Sequence, residues 1–108
     1  MRIMRISEAT GYDAARFVAQ PFIEGAHANV RLIRLAPGQV LPPHRHGQSD
    51  LFLFAVEGEG ELETEEGIVP FAAGSLAYYR GDEELRARNA GATGLTLLAF
   101  LAPKFATS

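Results

Sequence analysis

The chain has 108 residues, a formal net charge of −3 and no cysteine. That length suits one domain, and a chain of this size buries roughly 65% of its unfolded surface, enough for a core without staples. The missing cysteines exclude disulfides and zinc–thiolate sites, and a mildly acidic balance without a Lys/Arg cluster argues against a nucleic-acid partner.

The first residues, Met1-Arg2-Ile3-Met4-Arg5-Ile6, have no long apolar core and no cleavage pattern, so no signal peptide is expected. Ser7 to Phe17 is the one region with helical leanings. Ser7 suits the cap of a short turn and Gly11 interrupts it, so a single turn is expected there. The segment Phe17 to Ile23 is apolar and has no evident strand partner of its own. His27 precedes the first good strand and is expected on the surface.

From Asn29 onward the pattern is β. Val30 to Leu35 is rich in Val, Leu and Ile and stops at the turn pair Pro37-Gly38. Pro42-Pro43 enforces an extended backbone before His44. Leu51 to Val56 is a continuous apolar run between Asp50 and Glu57-Gly58, which predicts a strand covered on both faces. That run is far short of the roughly 20 residues a membrane span needs, and a soluble cytoplasmic protein without a membrane partner is expected. Glu61 to Glu65 alternates with period two, giving an acidic outer face. Glu66-Gly67 turns, Ile68 to Phe71 returns, and Ala73-Gly74-Ser75 turns again. Leu76 to Tyr79 is a short strand, with one tyrosine expected in the core and the other on the opposite face. Arg80 to Glu84 is a polar loop. Leu85 to Asn89 and Leu95 to Leu101 are the last two strands, and Arg86 and Arg88 face outward if Leu85 and Ala87 face in. Short strands with turn signals every eight to twelve residues predict an all-β sandwich or closed barrel, a jelly roll that also hides its strand edges.

The tripeptide His44-Arg45-His46 carries the chemistry. Residues two apart on a strand share a face, so both imidazoles can enter one cavity while Arg45 points out. Two neutral imidazoles side by side are a natural pair of metal ligands. They are also consistent with two hydrogen-bonded pocket residues. The sequence Glu57-Gly58-Glu59-Gly60 is not a dinucleotide fingerprint, because no helix follows and no third glycine is suitably spaced. The run of glutamates from Glu57 to Glu66 is read as a solvated hairpin face. Asp82-Glu83-Glu84 offers a carboxylate that could stand in as a ligand.

The stretch Gly38 to His46, with the strand Leu51 to Val56 and Glu57-Gly58-Glu59-Gly60-Glu61-Leu62 after it, resembles the first motif of the cupin superfamily. Phe71 to Tyr79 and Asn89 resemble the second. The likeness spans about residues 30–101 and implies a single small cupin domain over 1–108, an all-β double-stranded β-helix barrel. It also implies a metal held by two His and a Glu of the first motif and a His of the second. In this chain the Glu position falls on Leu51 and the second-motif His on Leu85, neither of which can ligate. Asp50 fits the shorter spacing from His46. A site of His44, His46 and Asp50 with open positions would resemble a facial triad suited to Fe, Mn, Zn or Ni. Two functions follow from the resemblance. One is a metal-dependent enzyme acting on a small organic molecule, of dioxygenase, isomerase or lyase type. The other is a metal-free barrel that binds or senses a small-molecule ligand. Cupins resembling this one often pair through edge strands, so a homodimer is also expected.

Overall fold

The computed structural model describes residues 1–105, and its only helical element among them is a 3-10 turn at Ile6–Glu8. The strands are β1 (Val18–Glu24), β2 (Asn29–Leu35), β3 (Val40–His44), β4 (Asp50–Glu57), β5 (Glu59–Thr64), β6 (Gly67–Ala72), β7 (Leu76–Tyr79), β8 (Leu85–Asn89) and β9 (Leu95–Ala102). They form two antiparallel sheets, β1-β2-β9-β4-β7 and β3-β8-β5-β6. The expected all-β double-stranded β-helix is thus the observed architecture.

Alternation along each strand decides what lies between the sheets. Register pairs Leu51 with Leu101, Leu53 with Ala99 and Ala55 with Leu97. These side chains meet Leu41, Leu62, Phe71, Leu85 and Ala87 from the smaller sheet in one continuous core. Leu51, Leu53 and Leu97 are fully buried. Removing any of them would leave a cavity costing about 2–5 kcal/mol.

Two expectations are corrected here. The segment at Phe17 to Ile23 does have a partner: β1 runs antiparallel to β2, with Val18 opposite Arg34 and Ile23 opposite Val30. Its pairing slips between Pro21 and Ile23. That irregularity is tolerable because β1 is an edge strand, where a proline removes no essential ladder bond. The second correction concerns β4, which is not covered on both faces. Phe52 is 43% exposed and stacks at 5.1 Å on Tyr78, which β7 places directly opposite it. The pattern Phe52-Phe54 was apolar for a reason other than burial inside the barrel.

Elsewhere on that outer face a cover does exist. Arg34 and Thr96 point away from the core yet are buried, because the N-terminal segment crosses over them. Arg34 donates to the Ile6 carbonyl at 2.8 Å and to Thr96 Oγ1 at 3.0 Å, with its guanidinium 5.2 Å from the Tyr12 ring centroid. Tyr12 donates to Glu57 at 2.8 Å. That bond, with a second from Thr96 Oγ1 at 3.0 Å, holds the Glu57 carboxyl below its ordinary pKa.

The two ends of the barrel are built differently. At one end Asn89, which matches the closing Asn of the second motif, is 2% exposed. Its amide nitrogen donates to the carbonyls of Leu35 and Thr93, each at 2.8 Å, and its oxygen accepts from Gly91 N–H at 2.9 Å. That one side chain closes the turn between β8 and β9 and ties it to the end of β2. On the outside of β8, Arg88 pairs with Glu61 at 2.7 Å across the strands, and Arg86 meets Glu84 and Glu63. The glutamate-rich hairpin face is therefore partly neutralised. No helix of the described residues is long and apolar enough to cross a membrane.

Candidate functional site

The other end of the barrel carries the histidines. β3 reaches it over Pro42-Pro43, which cannot donate to a ladder, and its pairing with β8 slips between Leu41 and His44. Leu41 lies opposite Ala87, and His44 rejoins the ladder opposite Leu85. The strand ends there.

His46 is therefore not on the strand, contrary to the parity argument from the sequence. It sits in the turn that follows. Its N–H donates to the Gly81 carbonyl at 2.8 Å, and its own carbonyl accepts from Ser49 N–H at 3.0 Å. Gly81 makes this approach possible, since a Cβ there would collide with the backbone of Gly47 and Ser49. The outcome that parity predicted is nonetheless reached. The two imidazoles meet edge to face, centroids 4.7 Å apart and planes at 88°. Arg45 between them points out, bridging to Glu84 at 3.6 Å and donating to the Asp82 carbonyl at 3.1 Å.

A third ring completes the cluster. Phe105 packs at 5.7 Å from His44 and 5.4 Å from His46, both edge to face. Its backbone is clamped by the buried Asn29, whose oxygen accepts from Phe105 N–H at 2.9 Å and whose nitrogen donates to the Phe105 carbonyl at 3.2 Å. Ser49, also buried, donates from its hydroxyl to the Pro103 carbonyl at 2.6 Å. Phe105, Asn29 and Ser49 were not singled out in the sequence. The one available signal was an aromatic residue just beyond the last strand and its closing Pro103.

The electrostatics follow from this burial. His46 is 5% exposed, whereas His44 lies open at the rim. Burial, and secondarily the neighbouring His44, pushes the His46 pKa down to about 4. His46 is thus a neutral imidazole at neutral pH. Among the described residues its Nδ1 has no hydrogen-bond partner. An orphaned polar atom in a buried position costs about 1–3 kcal/mol, and native structures contain few of them.

The remaining candidate ligands are not brought to the pair. Asp50 starts β4 on the outer face, where it accepts a hydrogen bond from the Tyr78 hydroxyl at 2.8 Å. Alternation explains this: Leu51 is the residue that turns inward, and Asp50 takes the other side with Phe52. Leu85, opposite His44, is 2% exposed and belongs to the core. Asp82 pairs with Arg80 at 3.1 Å, and Glu84 with Arg86 and Arg45. The described residues contain no group of three or more His, Cys, Asp or Glu side chains arranged to hold a metal ion. The donor set of a resident metal, three or four N, O or S ligands, does not fit what surrounds these two imidazoles. A groove of about 870 Å³ lies alongside rather than at the pair, between Arg45, Tyr79, Arg80, Glu83 and Arg86. Burial pushes the Tyr79 hydroxyl pKa up, with Glu83 adding to it, so that phenol stays protonated.

Comparison with known proteins agrees with this architecture. The family model described as a cupin domain, Cupin_2, matches residues 31–101. An RmlC-like cupin from Desulfovibrio desulfuricans is 25% identical over 97% of this chain and 99% of its own, with a TM-score of 0.84. A double-stranded β-helix protein from Klebsiella pneumoniae superposes with a TM-score of 0.86 at 20% identity, covering 95% of this chain and 90% of its own. A protein described as a predicted oxalate decarboxylase, from Thermotoga maritima, gives 0.80 at 21% identity over 94% of this chain and 99% of its own. Among curated proteins none matches the chain.

Proposed function

Because the chain belongs to the Cupin_2 family of cupin domains, we propose that it is a small-molecule-binding barrel that works without a resident metal, with its site at the His44/His46 end. The observation that carries this reading is the company His46 keeps. The positions that would complete a metal site are Leu51 and Leu85, both in the core, and the ring facing the imidazoles is Phe105. Such surroundings suit a pocket that is mostly apolar with one or two placed polar groups, the usual make-up of a ligand site. His46 supplies the buried polar atom and His44 the rim one. Some structural neighbours, such as the Thermotoga maritima protein, bear enzyme descriptions. One fold hosts many functions, so that description supports a cupin barrel and does not transfer a reaction.

The test is metal content of protein purified without added metal. We expect well under one transition metal per chain, and no change in that figure for the double variant His44→Ala/His46→Ala. About one metal per chain, lost in the double variant, would overturn the reading in favour of a metal-dependent enzyme.

The binding barrel is proposed to act as a homodimer. Phe52, Tyr78, Leu76 and Phe100 expose large apolar side chains on the outer face of the five-stranded sheet. An apolar patch on one sheet face suits an isologous pairing with a second copy. Light scattering should give twice the chain mass at micromolar concentration, and Phe52→Glu should halve it. A monomeric mass for the native chain would remove the proposal.

A further inference from the structure

Phe105 occupies the His44/His46 cleft in a way that separates its backbone from its ring. The backbone is fixed by three polar anchors: both amide atoms of Asn29 on Phe105, and the Ser49 hydroxyl on the Pro103 carbonyl. Both anchoring residues are buried. The ring itself makes no polar contact. It lies edge to face against the two imidazoles and within van der Waals distance of where a Cβ on Gly47 would sit. A rotation about the Phe105 side-chain torsion moves the ring off the imidazoles without breaking any of the three anchors.

What the ring leaves undone is as informative. A benzene ring contributes an aromatic contact with each imidazole. It cannot give a hydrogen bond to His46 Nδ1, which is buried and without a partner among the described residues. A neutral imidazole carries one N–H and one lone-pair nitrogen, so Nδ1 needs either an acceptor or a donor. A hydroxyl group is both. A planar aromatic ring bearing a hydroxyl therefore keeps the ring contacts that Phe105 makes and adds the hydrogen bond that Phe105 cannot give.

We propose that Phe105 is an internal stand-in for the ligand, and that the site takes a hydroxylated aromatic molecule whose ring displaces the Phe105 ring and whose hydroxyl pairs with His46 Nδ1. This rests on the reading of the histidine end as a ligand site. It adds the class of ligand and a built-in competitor. While the Phe105 ring sits in the cleft, the chain is closed to ligand. Apparent affinity is reduced by the fraction of molecules that are open. A ring seated about nine-tenths of the time would weaken binding about tenfold.

The experiment titrates the full chain with 4-ethylphenol, ethylbenzene and cyclohexanol, following the imidazole signals of His27, His44 and His46 by NMR. With native protein, 4-ethylphenol should shift His44 and His46 and leave His27 in place. Phe105→Ala should bind it about tenfold more tightly. Phe105→Leu, which keeps an apolar side chain but removes the planar ring, should move affinity the same way and guards against an effect of unfolding. Ethylbenzene should bind several-fold more weakly than 4-ethylphenol, the difference of one hydrogen bond. Equal or weaker 4-ethylphenol binding in both Phe105 variants would overturn the displacement. Ethylbenzene binding as well as 4-ethylphenol would overturn the role of the hydroxyl. Shifts of His44 and His46 with cyclohexanol but not 4-ethylphenol would overturn this ligand class while leaving a metal-free binding barrel intact. Failure of that underlying reading shows separately, as stoichiometric metal.

Discussion

The two ends of β8 each lead to a buried polar side chain, and the two are treated in opposite ways. Asn89 is 2% exposed and every hydrogen-bonding direction it uses is met, by Leu35, Thr93 and Gly91. His46, in the turn beside the other end, is 5% exposed and its Nδ1 is unmet among the described residues. Burial alone does not distinguish a structural polar group from a functional one. Satisfaction does. A fully paired amide holds one turn and the end of a strand together, whereas an unpaired imidazole beside a movable aromatic ring is a group held ready for something else.

The largest expected effect sharpens the structural side. Asn89→Ala removes three hydrogen bonds, those to the Leu35 and Thr93 carbonyls and from the Gly91 N–H, in a closed end. We expect a loss of about 4 kcal/mol, at about 1–3 kcal/mol per orphaned group with partial relief from water. Urea unfolding at neutral pH measures it. A loss below about 1 kcal/mol would erase the contrast.

The next effect comes from the other end. The folded chain holds the His46 pKa near 4, against 6.5 for a free imidazole. Between those values the unfolded chain binds a proton that the folded chain refuses. Stability from this group is therefore complete above pH 6.5 and drains away as pH falls toward 4, where the loss reaches about 3 kcal/mol. His46→Leu has no such proton. Paired unfolding curves at pH 7 and pH 4.5 should show the native chain losing more stability than the variant. Parallel losses would mean that His46 is not buried as described.

The smallest effect is the most telling for the comparison. At pH 7 His46→Leu should fall within about 1 kcal/mol of the native chain, because the imidazole it replaces satisfies no buried partner with its side chain. Asn89 and His46 are comparably buried, so a difference of several-fold between their substitutions would come from pairing and not from exposure. A His46→Leu loss as large as that of Asn89→Ala would show that the orphaned nitrogen has a structural partner in solution.

Much of this molecule could be read in the order of its residues. Turn signals and period-two alternation give β2 and β4 to β9 to within a few residues, and with them the jelly roll. The inward turn of Leu85 and the outward turn of Arg86 and Arg88 follow from the same alternation, whereas the meeting of His44 with His46 is made by the turn after β3. Three things did not follow. β1 was hidden because Pro21 and a half-exposed edge blur the period of two. Asp50 sat next to the residue that turns inward, and a shift of one position reverses the face. The third was the contact that matters most at the site. Phe105 and His44 are far apart along the chain, and nothing local to either one announces that Asn29 will clamp the first beside the second.

The reason is physical. Alternation, turn chemistry and proline placement act between near neighbours, so the sequence by itself determined most of the strands and the presence of two imidazoles at one strand end. Which groups converge there depends on register between strands and on segments that cross the barrel mouth. Only the tertiary structure decided that the carboxylate stays outside with Tyr78, that His46 is buried without a partner, and that an aromatic side chain from beyond the last strand fills the space beside it.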